Sequence, residues 1–142
     1  MREINFRVWD PVQYKMLKPS YLEFIDGNAY WVEAGEDDSQ NDGPIDSPVT
    51  RPMVKVGMAL EQYTGLKDDN GKGIYEGDIV CVWDNGTGFV TFKNGSFIVD
   101  LGPDDNSSLS SEAYPLLTWN SEDYEIVGNI HKNPDLLEAP HD

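Results

Sequence analysis

One cysteine, Cys81, is all that the 142-residue sequence holds, and that excludes an internal disulfide framework and any multi-cysteine zinc site. Two histidines, His131 and His141, have no cysteine or histidine close by in sequence, so a zinc site would need carboxylates from distant segments. Basic residues are scarce as well. Ten Lys and Arg stand against twenty-six Asp and Glu, a formal charge of −16. That balance disfavours a broad cationic surface, and with it non-specific duplex binding or docking on anionic lipid. No window approaches the ~18 apolar residues of a membrane helix, and the opening MREINFRVWD has no apolar run of signal-peptide length. The chain reads as soluble and cytoplasmic. Long amphipathic helices are missing too.

Short alternating segments broken by turn residues are what the sequence offers instead. Ile4, Phe6 and Val8 alternate with Asn5, Arg7 and Trp9 as in a strand, and Asp10-Pro11 signals a turn. Tyr14 to Leu17 reads as a second strand. Tyr21 to Ile25 and Ala29 to Ala34 flank Asp26-Gly27-Asn28, a hairpin connection. Residues 35–52 then carry three prolines, two glycines and five acids with few sizeable apolar residues, the composition of a flexible acidic linker. A linker there divides the chain into an N-terminal β-hairpin region, residues 1–34, and a β-barrel-like region, residues 53–142.

In that second region Val54 to Leu60, Asp78 to Trp83, Gly88 to Phe92, Ser96 to Leu101, Tyr114 to Trp119 and Tyr124 to Ile130 are strand candidates separated by polar turns. Ile79, Cys81 and Trp83 oppose Val80 and Val82, so both faces of this strand are apolar, as in a small closed, SH3-like barrel. Asn133-Pro134 ahead of Asp135-Leu136-Leu137-Glu138 predicts a short C-terminal helix. The expected fold is mainly β.

Three blocks of residues carry a resemblance. The first is Arg2-x-Ile4-x-Phe6-Arg7-x-Trp9-Asp10. The second runs from Gln62-Tyr63-Thr64-Gly65-Leu66-Lys67-Asp68 through Ile74-Tyr75-Glu76-Gly77-Asp78-Ile79-Val80. The third is Val127-Gly128-Asn129-Ile130-His131-x-Asn133-Pro134-x-Leu136-Leu137. Together they resemble the YopX family of small bacteriophage and prophage proteins, in order and over essentially the whole chain. The resemblance implies a mainly β fold with a small barrel-like part, self-association, and a life inside a host bacterial cell. It brings no catalytic residue to transfer. Read as structure, its blocks predict strained backbone at Gly65 and Gly77 and burial of Trp9 and Tyr75.

Site by site, the residues favour architecture over chemistry. Glu76 and Asp78 could form a carboxylate pair ~7 Å apart on a strand, but no acid–base environment accompanies them, and a turn entering a strand accounts for the run. An EF-hand register from Asp68 would place Lys72 fifth and Ile79 twelfth, so DDNGKG is a turn and not a calcium loop. Cys81 sits in an apolar strand as a small hydrophobe. No phosphate-binding or nucleophile-elbow motif occurs, and no cofactor is expected. The sixteen aromatics could stack bases, yet residues 94–131 hold seven acids and no Lys or Arg, so direct nucleic-acid binding is not expected. The locally basic residues 1–20 are expected to pair with acids in this chain or a neighbouring subunit.

Three functions follow as alternatives. The first is a non-enzymatic, homo-oligomeric scaffold that meets a host or phage protein, since exposed strand edges need capping. The second is an acidic decoy that imitates nucleic-acid phosphates, with Asp100, Asp104, Asp105, Glu112, Glu122, Asp123 and Glu125 as its interaction face. The third is a small enzyme of unfamiliar chemistry.

Overall fold

The computed structural model describes residues 3–36, 49–52, 57–83, 86–103, 111–116 and 120–138. Eleven strands carry the fold among them. The first five are β1 Phe6–Asp10, β2 Lys15–Ile25, β3 Asn28–Glu36, β4 Val49–Pro52 and β5 Ala59–Lys67. Then follow β6 Gly73–Tyr75, β7 Asp78–Val82, β8 Gly86–Lys93, β9 Ser96–Pro103, β10 Ser111–Pro115 and β11 Tyr124–Asn129. The protein is mainly β, as the alternation predicts. Two compact units divide the chain: Asn5–Gln62, and Tyr63–Asp142 with Met1–Ile4.

In the first unit the strands pair antiparallel in the order β4-β3-β2-β1-β5. The expected strands Tyr14–Leu17 and Tyr21–Ile25 merge into one long strand, β2, which starts at Lys15 because Tyr14 still turns with φ of 58°; its pairing with β3 is interrupted by bulges between Pro19 and Tyr21 and between Glu23 and Phe24. The predicted hairpin turn is present. Asp26 and Gly27 take φ of 51° and 83°, the two-residue connection whose twist suits a right-handed hairpin. Val8, Leu17, Val32, Ala34 and Met58 form the core, with Leu22, Ala29 and Leu60 packed at its margin. Burying side chains of this kind is worth ~1.5–3 kcal/mol for each large one.

The residues expected as a linker, 35–52, contain strand at both ends. Gly35 and Glu36 continue β3, and Val49–Pro52 pairs with β3 through Val49–Ala34, Thr50–Glu33, Arg51–Val32 and Pro52–Trp31. Hydrogen bonding along a pre-formed edge outweighs poor local composition here. Residues 37–48 lie outside the described residues, as do 53–56 at the start of the expected Val54–Leu60 strand; of its described part only Ala59 and Leu60 are strand, because Gly57 turns with φ of 71° and β5 runs on to Lys67.

In the second unit β7 to β11 form a five-stranded antiparallel sheet, ordered β10-β9-β8-β7-β11, and β6 pairs with the end of β5. Ile74, Val80, Val82, Val90, Val99, Leu116 and Tyr124 make its core. The expected closed barrel is not formed by the described strands. Closure would require β10 to pair with β11, and β10 is broken by a bulge and ends at Pro115, which has no N–H to give. Residues 117–119 of the expected Tyr114–Trp119 strand lie outside the described residues. Trp83 corrects a second expectation. It lies one residue beyond β7 and is 71% exposed, while Cys81 is half-buried, so only Ile79, Val80 and Val82 fill the strand's two apolar faces. The C-terminal helix is present as a 3-10 turn over Pro134–Glu138. Among the described residues no helix is long and apolar enough to cross a membrane.

Candidate functional site

Buried carboxylates are where chemistry would be sought first. Four acids are buried among the described residues: Asp10, Glu61, Asp68 and Asp78. Each is committed to the fold. Asp10 Oδ1 accepts the backbone N–H of Val12 at 2.9 Å and its Oδ2 accepts the Gln13 side-chain amide, which closes the turn after β1. Asp78 Oδ2 accepts the Tyr75 N–H at 2.8 Å across Glu76-Gly77. Asp68 Oδ1 accepts the N–H groups of Asn70 and Lys72, and its Oδ2 accepts that of Ile126 on β11. Carboxylates satisfied by backbone donors are ordinary turn chemistry, and they fix loops.

Glu61 is held differently. Arg7 and Glu61 face each other across β1 and β5, and Arg7 Nε donates to Glu61 Oε1 at 2.8 Å. This answers part of the expectation for the basic N-terminal stretch: Arg7 is paired inside the chain. The glycines at 65 and 77 take φ of 91° and 84°, and Trp9 is buried, as the motif reading predicts; Tyr75 is only half-buried, tilted against Tyr63 with ring centroids 5.5 Å apart. Gly77 donates its N–H to the Val90 carbonyl and accepts from Ile130, so the YEGD run is a joint between strands. Asp78 is turned back onto its own loop.

The described acids among those named from sequence as an interaction face do not all stand together. Asp100 is half-buried on β9, opposite Phe89 of β8 and Ala113 of β10. Glu125 is exposed on β11, opposite Cys81. Three strand steps, β9-β8-β7-β11, separate them, ~14 Å at the usual spacing. Glu122 is exposed in the 3-10 turn Ser121–Asp123, and Asp123 Oδ2 accepts the Asn120 N–H at 3.0 Å, a capping role. Glu112 lies in β10, and Asp104 and Asp105 lie outside the described residues. Glu122, Asp123 and Glu125 gather at one end of β11; Asp100 is not with them. Among the described residues no three His, Cys, Asp or Glu side chains come together as metal ligands.

Sequence reasoning missed the surface that the hairpin β2–β3 presents. Val32, Ala34 and Leu22 point to the core, so Tyr21, Glu23, Trp31 and Glu33 lie on the opposite face. Direct cross-strand pairs are Tyr21 with Glu33 and Glu23 with Trp31. The Tyr21 hydroxyl donates to Glu23 Oε2 at 3.2 Å. That hydrogen bond, and the negative charge of Glu23 and then of Glu33, hold the Tyr21 phenol above its ordinary range. Toward the hairpin tip Phe24, Ile25 and Tyr30 are exposed as well. Its signal was present as aromatic and acid at alternate positions in Tyr21-x-Glu23 and Trp31-x-Glu33, but only the pairing register brings the two halves together.

The comparisons agree with this architecture. The sequence model of the YopX protein family matches residues 5–138. The structure of protein EF1440 from Enterococcus faecalis is similar with a TM-score of 0.62 at 24% identity, covering 96% of this chain and 99% of that one. YopX from Bacillus subtilis is similar with a TM-score of 0.58 at 21% identity, covering 99% of each chain. At such identities these likenesses speak for the fold alone. No curated protein matches the sequence. With its family model matched from residue 5 to residue 138, the chain belongs to the YopX family.

Proposed function

We propose that this protein is a non-enzymatic phage or prophage accessory protein of the host bacterial cytoplasm, a self-associating scaffold that acts through protein partners. One observation carries the reading: Phe24, Ile25 and Tyr30 are 54%, 49% and 41% exposed on a single hairpin. Large apolar side chains left exposed at one hairpin tip gain from being covered. A second support is that the four buried carboxylates are engaged in holding turns and an ion pair. The decoy reading has less behind it, because a phosphate mimic needs its charges in one row and Asp100 stands apart from Glu122 and Glu125.

Sedimentation equilibrium tests the scaffold. The wild-type chain is expected to sediment as a dimer or larger at micromolar concentration and to persist in ~0.5 M salt, where the screening length is only a few ångströms. The double variant Phe24→Ser/Ile25→Ser should be monomeric with an unchanged melting temperature. A wild-type monomer at the highest soluble concentration would sink the proposal, and dissociation by salt alone would move the balance to the decoy.

A further inference from the structure

The outer face of β2–β3 has a geometry that goes beyond self-association and does not depend on it. Between its two bulges the hairpin keeps regular register for three rows, Tyr21–Glu33, Leu22–Val32 and Glu23–Trp31. The first and third rows point outward and form a square with rings on one diagonal and carboxylates on the other. Neighbouring corners are ~5 Å apart across the strands and ~7 Å along them, and diagonal corners ~7–8 Å apart. Tyr21 and Glu23 are exposed, and Trp31 and Glu33 are half-buried. Bulges on either side raise local twist and re-aim side chains, which sets this square off from the rest of the hairpin.

We propose that this square is a docking surface for an arginine- or lysine-bearing segment of a protein partner, with the cation seated between Glu23 and Glu33 and against the rings of Tyr21 and Trp31. A guanidinium needs both things the square supplies: carboxylate oxygens for its N–H donors and aromatic faces for its plane. Charge complementarity favours such an occupant over an acidic or neutral one. The chain carries −16 overall, and Glu23 and Glu33 already bear electrostatically on the Tyr21 phenol between them. The ion pair of Arg7 with Glu61 involves neither Glu23 nor Glu33. Lys18 shares the outward direction, opposite Gly35, but it lies beyond the Ser20 bulge.

The decisive probe is a fluorescein-labelled peptide alternating arginine and serine, compared with the same peptide in which citrulline, the uncharged isostere, replaces arginine. Anisotropy titration of the full chain should show the arginine peptide binding at least tenfold more tightly. Glu23→Gln/Glu33→Gln should weaken it at least fivefold, and Tyr21→Ala by a similar factor. Glu122→Gln/Glu125→Gln removes the same charge in the other unit and should leave the affinity within twofold. Equal losses from the two glutamine pairs would mean that binding only follows net charge, and would overturn the site. So would equal affinity for the citrulline peptide.

Discussion

Asp68 and Ile126 stand 58 positions apart in the chain, and one hydrogen bond, from the Ile126 N–H to Asp68 Oδ2 at 3.1 Å, ties the turn after β5 to β11. The same carboxylate organises its own turn through Asn70 and Lys72, and Asp69 N–H adds a bond to the Tyr124 carbonyl. A turn that sequence alone would grade as local is therefore a long-range fastener.

Asp68→Ala should lower unfolding stability by about 3 kcal/mol, because three backbone donors lose a charged acceptor at a buried place. Asp69→Ala, one residue on and exposed, should stay within about 0.5 kcal/mol, since its bond to Tyr124 is made by the backbone. Urea unfolding of both variants checks the pair; equal effects would show that the Asp68 carboxylate is not the fastener.

Arg7→Met should cost about 3 kcal/mol, leaving Glu61, with 8% of its side chain exposed, without its guanidinium. The double variant Arg7→Met/Glu61→Leu should recover most of that loss, because removing both charges avoids an uncompensated one. A double variant as unstable as the single one would contradict the account.

Tyr21 should ionise above the usual phenol value of ~10. Glu23→Gln removes both the carboxylate acceptor and its charge, so the phenolate is opposed less and the pKa falls. The difference between ultraviolet titrations of the chain and of Tyr21→Phe isolates this one tyrosine from the other six. A Tyr21 that titrates identically with Gln at position 23 would show that the pair is not formed in solution.

Removing residues 38–46 should change the melting temperature by no more than about 2 °C, since this stretch holds little apolar surface and loop closure depends weakly on length. A larger drop in a thermal melt would mean that the segment packs.

Local order was legible where local chemistry decides it. Asp10-Pro11, Asp26-Gly27 and the DDNGKG and YEGD runs announced their turns, because side-chain acceptors and positive φ are properties of neighbours in sequence. Family membership was legible for a similar reason, as the ordered blocks were complete. That the described strands leave the expected barrel unclosed was not, since closure depends on how two edge strands end, and Trp83 shows the same limit: an apolar residue in strand rhythm stays exposed once its strand has stopped.

The sequence by itself determined the mainly β class, many of the strands and turns and the acidic character, because alternation, turn residues and charge are fixed by covalent order. Tertiary structure alone decided that Asp68 holds β11, that Arg7 meets Glu61, and that Tyr21, Glu23, Trp31 and Glu33 share one square. The physical reason is register. A strand's side chains alternate by two, so a shift of one residue, or one bulge such as that at Ser20, changes which faces meet, and nothing short of the pairing itself records it.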